Sequence, residues 1–558
     1  MFIKTTKTKG YEYIKLVESF RDEGNVTRHN VLYNFGRADL IKNNKSFINV
    51  VKKLCEIVQI GIAQSNPKFD CSEAQMVKYG YLPYLKLWEM LGVENCLTRM
   101  QSKTKCEFSL SDTTFLMVAQ HLLLPKSKLS TYKYQENYIG LNETELHQLY
   151  RTLEKLAEHK EAIENELFKE NYTKIGYTVD VVFYDVTTFA FESIIVDELR
   201  KFGFSKDCKF KEVQVVMGLL IDSNGLPIGY ELFPGNTIDG KTMTMALENI
   251  KKRFGINKVI IVADRGLNSK SNLNAIKEAG YGYIVASKIK SMKKSVHKQI
   301  FASEDYVIIS EDFRYKTIEY INSFKDEEGK LHNLKENLIV SFSQKRAIKD
   351  CHDRQRLIEK AKKMLETPAN IRSSNKRGGK KYLMGTGGAE TFSLDEGLIE
   401  SDSKFDGYYG IQTSEKEMTA PEIIEAYRTL WRIEESFRVM KSTLEVRPIF
   451  HWKPERIHGH FVVCFLAFML ERKLEMLLDE HEIENSPGKI REALNTMQLA
   501  KVTLNDETVY IKAKNQPLAN HICKILKLKQ PQNISNENQL ISVFGIEKKK
   551  LWGQLSLF

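Results

Sequence analysis

The segment Val213-Gln-Val-Val-Met-Gly-Leu-Leu-Ile-Asp-Ser-Asn-Gly-Leu-Pro-Ile-Gly-Tyr-Glu-Leu-Phe233 decides the fold class of this chain. It contains two apolar, β-rich runs, Val213 to Ile221 and Leu226 to Phe233, separated by the turn sequence that starts at Asp222. Two such runs joined by a short turn are typical of an antiparallel hairpin. A third β-rich run, Tyr177 to Asp185, precedes them. The sequence therefore predicts a three-stranded antiparallel meander.

After this meander the pattern alternates between helix and strand. Lys241 to Phe254 and Lys270 to Ala279 have helical periodicity, whereas Lys258-Val-Ile-Ile-Val-Ala and Tyr283-Ile-Val-Ala-Ser are strand-like runs. The resulting order, βββαβαβ, is that of the ribonuclease-H-like fold, an α/β fold. We expect this core to be interrupted by a β-rich insertion and preceded by a mostly α N-terminal region.

The predicted topology places two aspartates at the ends of neighbouring strands. Asp185 ends the first predicted strand and Asp264 ends the fourth, and these two strands lie side by side in a ribonuclease-H-like sheet. We therefore expect the two carboxylates to meet at the end of the sheet. Each has an alternative explanation: Asp185 is an ordinary strand-end carboxylate, and Asp264 is the N-cap of the helix that follows Asp-Arg-Gly-Leu-Asn.

A third carboxylate is expected from a later helix. Thr419-Ala-Pro-Glu422 is a capping box with proline in the first turn, and it predicts a helix that runs to about Leu444. Five residues of different chemistry share one face of this helix: Tyr427, Trp431, Glu434, Arg438 and Lys441. An adjoining apolar seam would attach the helix to the sheet through Ile423, Leu430, Ile433, Phe437, Met440 and Leu444.

The simplest interpretation of Glu434 and Lys441 is that they are solvated charges on an amphipathic helix. The preceding strands argue against it, because two of them end in aspartate and Trp431 on the same face lacks a purpose if that face meets only water. Carboxylates from two strand ends and one helix can bind two divalent metal ions, the usual equipment for phosphodiester chemistry. The sequence thus favours a DNA-processing enzyme.

The remaining regions of the sequence carry less specific structural signals. Residues 1–170 form an N-terminal region, predicted as a small sheet up to about residue 40 and then helices that begin with a capping box at Ser72 and Gln75. The catalytic core is predicted from residues 171–290 and 411–480, the β-rich basic insertion from 291–410, and a C-terminal region from 481–558.

The composition agrees with a polyanionic partner but does not establish one. Among 558 residues, 83 Lys and Arg exceed 72 Asp and Glu, so the formal charge is +11. The longest apolar run, Phe461 to Leu470, is about half the length that a bilayer span requires, and no signal-peptide core is found. We expect a cytoplasmic, nucleoid-associated protein with reduced cysteines and no zinc finger around His458 and His460.

The two aspartates and the glutamate helix resemble those of the insertion-sequence transposases of the DDE type. The resemblance is specifically to the group with a Tyr, Arg, Glu, Lys signature helix and a β-rich insertion before the glutamate. The resemblance covers Tyr177 to Leu474. It implies that Asp185, Asp264 and Glu434 form a metal-binding triad for Mg²⁺, for which Mn²⁺ substitutes. The DNA-binding residues that it implies are Tyr427, Trp431, Arg438, Lys441 and the basic residue after the second aspartate, Arg265.

One position departs from the signature, because Leu430 stands where the group has arginine. Arg428, Arg432 and Arg438 are the nearby candidates to replace it. The resemblance further implies double-stranded DNA partners, namely terminal inverted repeats and target DNA, and a homodimer on DNA, since two ends must be joined. Two alternatives stay open: another ribonuclease-H-like nuclease, or an inactive or domesticated copy that only binds DNA.

The C-terminus carries a separate signal. The last five residues resemble the peptide by which many bacterial replication and repair proteins dock on the sliding clamp: Gln554, Leu555, Ser556, Leu557 and Phe558. The alternative is that the apolar residues of this tail pack back on the core.

Overall fold

The computed structural model describes most of the chain. The residues outside the description are 59–68, 175–178, 204–211, 238–241, 244, 247–251, 255–259, 265, 267, 326–329, 367–377, 386–391, 447–448, 505–506 and 545–558. The chain divides into two compact units, Met1–Gln75 with Lys501–Val509, and Met76–Ala500 with Tyr510–Phe558.

The first unit contains the small sheet indicated by the sequence. Its strands are β1 (Phe2–Thr8), β2 (Tyr11–Arg21) and β3 (Thr27–Arg37), which pair in that order and antiparallel. Two helices follow, α1 (Ala38–Ile41) and α2 (Lys45–Ile57). The side chain of Asn44 caps α2 by accepting hydrogen bonds from two backbone N–H groups of its first turn.

The expected helix start at Ser72 is wrong, because Phe69–Lys78 forms a strand, β4, and the next helix begins at Leu82. The Lys78 carbonyl accepts a backbone hydrogen bond of 3.1 Å from Ile139 N, 61 positions along the chain by sequence number. A capping-box pattern is a local signal, and pairing with a distant segment overrides it.

The helical part of the second unit starts after β4. Its helices are α3 (Leu82–Met90), α4 (Val93–Gln101), α5 (Leu110–Leu123), α6 (Lys128–Tyr134), α7 (Leu146–Glu158) and α8 (Lys160–Phe168). The long helix Pro454–Glu480 packs against α3, α5 and α7 and is buried along most of its length. Among the described residues, no helix combines the length and the apolarity that crossing a membrane requires.

A nine-stranded mixed sheet forms the centre of the second unit. The strands, with the short hairpin β13–β14 outside this sheet, are β5 (Val181–Ala190), β6 (Gln214–Asp222), β7 (Pro227–Pro234), β8 (Ile260–Ala263), β9 (Gly282–Ala286), β10 (Val307–Ser310), β11 (Phe313–Lys325), β12 (Leu331–Ser343), β13 (Leu383–Gly385), β14 (Phe392–Leu394) and β15 (Tyr408–Thr413). In spatial order the sheet runs β10-β11-β12-β15-β9-β8-β5-β6-β7.

The predicted meander is present in this sheet, since β5, β6 and β7 pair antiparallel in sequence order. The first and fourth predicted strands are neighbours, because β5 pairs in parallel with β8, and β8 with β9. Of the predicted helix Lys241–Phe254, residues 242–243, 245–246 and 252–254 are described, and they are helical. The second unit is thus a mixed α/β structure.

The end of the first strand differs from the prediction. Asp185 lies in the middle of β5, which continues to Ala190, whereas β8 ends at Ala263. The residues after Asp185 stay in the sheet because they pair with β6, for example Thr187 with Met217. Asp185 therefore stands where the neighbouring strand ends, although its own strand goes on.

Strands from the predicted insertion continue the same sheet. β15 pairs antiparallel with both β9 and β12, and β12 pairs with β11. The helices around these strands are α9 (Lys270–Glu278), α10 (Lys294–Phe301), α11 (Gln344–Leu365) and α12 (Glu396–Ser403).

The predicted helix Thr419–Leu444 is interrupted. It consists of α13 (Ala420–Arg428), a turn at Thr429–Leu430, α14 (Trp431–Arg438) and a wide helical turn, Val439–Thr443. At the break, Leu430 N and Ile433 N donate to carbonyls only three residues back, which tightens the helix locally. The capping box of Thr419 and Glu422 is present as predicted.

The C-terminal elements complete the second unit and part of the first. They are α15 (Pro454–Glu480), α16 (Pro487–Asn495), β16 (Gln498–Leu504), β17 (Glu507–Lys512), α17 (Pro517–Ile525), β18 (Ile534–Asn536) and α18 (Glu537–Phe544).

Candidate active site

Asp185 and Asp264 are brought together by strand register. The parallel pair β5–β8 aligns Tyr184 with Ala263, so the next residue on each chain is an aspartate. Neighbouring strands lie about 4.8 Å apart, and residues aligned across a parallel pair point to the same face of the sheet. Asp185 is half-buried, Asp264 is exposed, and one carboxylate oxygen of Asp185 accepts a 2.7 Å hydrogen bond from Val186 N. The register therefore brings the backbone positions of Asp185 and Asp264 next to each other at the end of β8.

Asp264 is not the N-cap of α9. Helix α9 is capped by Ser269, whose side chain accepts a 3.2 Å hydrogen bond from Asn272 N. Asp264 lies five residues before this cap by sequence number, in the segment between β8 and α9.

A buried polar network anchors the segment that follows Asp264. Asn268 donates from Nδ2 to the Ala286 carbonyl at 2.6 Å and to Gln412 Oε1 at 2.9 Å. Gln412 in turn donates to Glu336 at 2.9 Å, and Glu336 also accepts from the Tyr283 hydroxyl. Burial raises the pKa of Glu336. These hydrogen bonds anchor Asn268, four residues after Asp264. No sequence pattern indicated this network, because its members lie on three different strands.

Glu434 lies on α14, which packs against β5. Its side chain is exposed, and no described residue gives it a hydrogen bond or an ion pair. The neighbouring Glu435, in contrast, accepts a 2.8 Å hydrogen bond from Arg438. Of the two adjacent glutamates, Glu434 is the one whose carboxylate is available to a ligand.

The contact of Lys441 relates this helix to β5. Lys441 Nζ lies 5.7 Å from the ring centre of Phe189. This contact places the end of the glutamate helix beside the part of β5 that follows Asp185.

Among the described residues, the carboxylates of Asp185, Asp264 and Glu434 do not form a complete metal-binding site. Across the part of the chain that the structure describes, no three His, Cys, Asp or Glu side chains are arranged so that they could hold a metal ion. Asp185 and Asp264 are aligned by the sheet, whereas convergence of Glu434 on them stays a prediction.

The structure confirms the apolar seam of the helix. This seam explains why leucine, and not the arginine of the signature, stands at position 430. All six predicted seam residues are buried: Ile423, Leu430, Ile433, Phe437, Met440 and Leu444. An arginine at position 430, where the leucine is only 5% exposed, would have to be buried in this seam.

The nearby arginines already have protein partners. Arg428 lies over the Phe313 ring at 5.1 Å, and Arg432 donates to the Asn224 carbonyl at 2.7 Å. Arg438 is exposed and pairs with Glu435.

The other residues of the predicted chemical face differ in exposure. Trp431 is 55% exposed, whereas Tyr427 and Lys441 are half-buried. The hydroxyl of Tyr427 accepts a 2.8 Å hydrogen bond from Tyr409 on β15. Arg265 and the clamp-like peptide Gln554–Phe558 lie outside the described residues.

Comparison with known proteins gives two family matches. Residues 180–470 match the model of the transposase DDE domain, and residues 3–63 match the N-terminal domain of IS1634 family transposases. Among solved structures, the chain is similar to a piggyBac transposase synaptic complex with hairpin DNA, at 9% identity and a TM-score of 0.35. That similarity covers 78% of this chain and 82% of the other. No curated protein matches the chain.

Proposed function

Because this chain belongs to the insertion-sequence DDE transposases, a family of enzymes that cut and join DNA, we propose that Asp185, Asp264 and Glu434 form its catalytic triad. The observation that carries this proposal is the register of β5 and β8, which aligns the two aspartates. The sheet order β9-β8-β5-β6-β7 supports a ribonuclease-H-like catalytic core, since the first strand lies between the second and the fourth.

The donor atoms fit a hard divalent cation. All three side chains offer carboxylate oxygens, the ligands that Mg²⁺ and Mn²⁺ prefer. Two divalent ions bound here would supply activation of the attacking water and charge stabilisation at the leaving oxygen. The two aspartates follow the last paired residues of β5 and β8, and the side chain of Glu434 is exposed.

The basic and aromatic residues of the glutamate helix are proposed to hold the DNA. Lys441, beside Phe189, and Arg438 contact phosphates near the scissile bond. The ion pair of Arg438 with Glu435 is exposed, so its exchange for a phosphate contact costs little free energy. Trp431 stacks on an exposed base, and Tyr427 packs on a sugar while its hydroxyl is held by Tyr409.

The proposal also includes the binding of the DNA ends, the oligomeric state and docking on the sliding clamp. The N-terminal region and the basic helix α11 bind the terminal inverted repeats. The protein acts as a homodimer on DNA, because joining requires two ends in one complex. The peptide Gln554–Phe558 docks on the sliding clamp.

One experiment tests the function directly. Purified protein is mixed with a labelled duplex that carries the end of its own insertion sequence, with Mg²⁺, Mn²⁺ or a chelator, and nicks are mapped. We expect cuts at the repeat end that require a divalent ion. Binding without any cleavage under all ionic conditions would instead favour an inactive copy that only binds DNA.

A further inference from the structure

Lys128, at the start of α6, is buried with only 4% exposure. Within the described residues it has neither a hydrogen bond nor an ion pair. Taking a lone ammonium group out of water is costly in free energy, and burial accordingly lowers the pKa of Lys128 to about 8. A protonated lysine at this position thus lacks a negative partner.

Lys128 lines a small cavity of about 40 Å³ together with three histidines, His121, His451 and His460. A cavity of this volume holds a few waters or one compact anion. Its lining also includes the exposed ring of Phe450 and the residue Glu445, whose carboxylate lies 3.9 Å from Arg491. The second lysine on the lining, Lys126, is exposed.

The three histidines are as buried as the lysine. Burial, and next the nearby Lys128, lowers the pKa of each; that of His451 falls to about 3. Nδ1 of His121 and Nδ1 of His460 are buried without a hydrogen-bond partner among the described residues. Nε2 of His460 donates to the Val446 carbonyl at 3.1 Å. Because its N–H is used in this bond, the Nδ1 of neutral His460 can only accept, which leaves Lys128, His121 and His451 as possible donors to a ligand.

A cation is the wrong occupant for this cavity. Cys464 Sγ lies 3.4 Å from His121 Nε2 and 3.5 Å from His460 Nε2, which superficially resembles a zinc site. However, no metal-holding group of three such side chains is found in the described ranges, and the Lys128 ammonium repels a cation. An anion instead neutralises Lys128 and favours protonation of the histidines around it.

We infer that this cavity binds a phosphoryl group, either free phosphate or a phosphate of DNA. Its several oxygens accept from Lys128 and from the imidazole N–H groups of His121 and His451 at the same time, as a single-atom anion cannot. The cavity adjoins the loop that follows the glutamate helix, where Phe450 and Trp452 are 58% and 62% exposed and His451 between them is buried. This inference does not depend on the assignment of the catalytic carboxylates.

The first test measures thermal unfolding of the full chain in inorganic phosphate and in chloride at equal ionic strength. The variants are Lys128→Met, which keeps the apolar stem, and Lys133→Met, an exposed lysine of the same helix, as the matched control. We expect phosphate to raise the Tm of the wild type and of the control by about 3 °C, since a ligand stabilises the state that binds it. Lys128→Met should lose this response.

An equal phosphate response in Lys128→Met, or none in the wild type, would overturn the inference. If Lys128→Met does not fold, His451→Gln gives the same comparison, because it removes one imidazole and keeps a polar side chain of similar length. Isothermal titration of inorganic phosphate into the wild type should also give one site per chain, and the absence of saturable binding would refute the site.

A second arm separates the two sources of the phosphoryl group. Binding of labelled duplexes with and without a 5′-phosphate is measured in chelator over a salt series. If the ligand is a DNA phosphate, Lys128→Met weakens binding about tenfold and reduces the salt slope by about 1, whereas Lys133→Met changes neither. If the ligand is free phosphate, DNA binding is unchanged while the phosphate-dependent Tm shift is still lost. No metal is present in this arm, so failure of the catalytic proposal would not affect it.

Discussion

The β5–β8 edge and the glutamate helix present their carboxylates in different ways. At the edge, the last paired residues of β5 and β8 are Tyr184 and Ala263, so Asp185 and Asp264 are the next residues on the two strands, and a polar network through Asn268 anchors the next segment. On the helix, Glu434 is exposed and lacks a described partner, and the helix is broken four residues earlier at Leu430. Two proposed ligands are thus positioned by the backbone, and the third only by side-chain packing.

This difference indicates how such a site can be assembled. A parallel strand pair allows little change of register, so its carboxylates are pre-positioned. A helix held by an apolar seam can present an exposed glutamate with several side-chain conformations, and it can close the site when ligands arrive. We therefore expect changes at the edge to act on chemistry and changes on the seam to act on stability.

The largest effect is expected at the edge. Asp185→Asn or Asp264→Asn should lower Mg²⁺-dependent cleavage of the element's end by at least about 1,000-fold, because each removes a charged ligand without a change in volume. Cleavage rates and duplex binding are measured in parallel, and binding should persist. Asp180→Asn, an exposed aspartate before β5, is the control and should cleave normally. Full cleavage by either edge variant would remove that residue from the triad.

The next effect discriminates between adjacent glutamates. Glu434→Gln should lower cleavage by about 300-fold, because it removes one of the three proposed charged ligands without a change in volume. Glu435→Gln should change it less than about threefold, since it loses only the exposed ion pair with Arg438. Rates of the two variants on the same duplex give the ratio. Greater loss in Glu435→Gln would transfer the role to that residue.

A smaller, purely structural effect is expected on the seam. Leu430→Arg, which restores the signature arginine, should lower the free energy of unfolding by about 2 kcal/mol, because position 430 is buried and offers the guanidinium no partner. Leu430→Met conserves volume and should cost less than about 1.5 kcal/mol. Denaturant unfolding measures both. If Leu430→Arg were as stable as the wild type and cleaved faster, the seam would not exclude a DNA-contacting arginine.

The smallest effect concerns the hydrogen bond between Tyr427 and Tyr409. Tyr427→Phe and Tyr409→Phe should each cost about 1 kcal/mol, and the double variant should cost no more than one of them. A double-mutant cycle from denaturant unfolding measures the coupling. Additive losses would show that the two hydroxyls act independently.

The fold could be predicted largely because its signals are local. The meander and the capping box at Thr419 follow from short-range periodicity and turn chemistry, and the structure contains both. The apolar seam was predictable for the same reason, since a 3.6-residue period identifies a buried helix face wherever it packs.

Other features depended on distant partners. Pairing with β6 carries β5 past Asp185 to Ala190, and a backbone bond from Ile139 holds the end of β4 where a helix was expected. The isolated Lys128 gave no sequence signal, because Lys-Leu-Ser-Thr is an ordinary helix start and its histidine neighbours come from positions 121, 451 and 460.

By itself, the sequence determined the three-stranded meander, the helix start at Thr419 and the apolar face of the glutamate helix, because period and turn residues act over a few positions. Only the tertiary structure decided where β5 ends, where the glutamate helix breaks and that Lys128 is buried without a counter-charge. Those outcomes depend on hydrogen bonds and packing between residues far apart in the chain, and no local pattern encodes them.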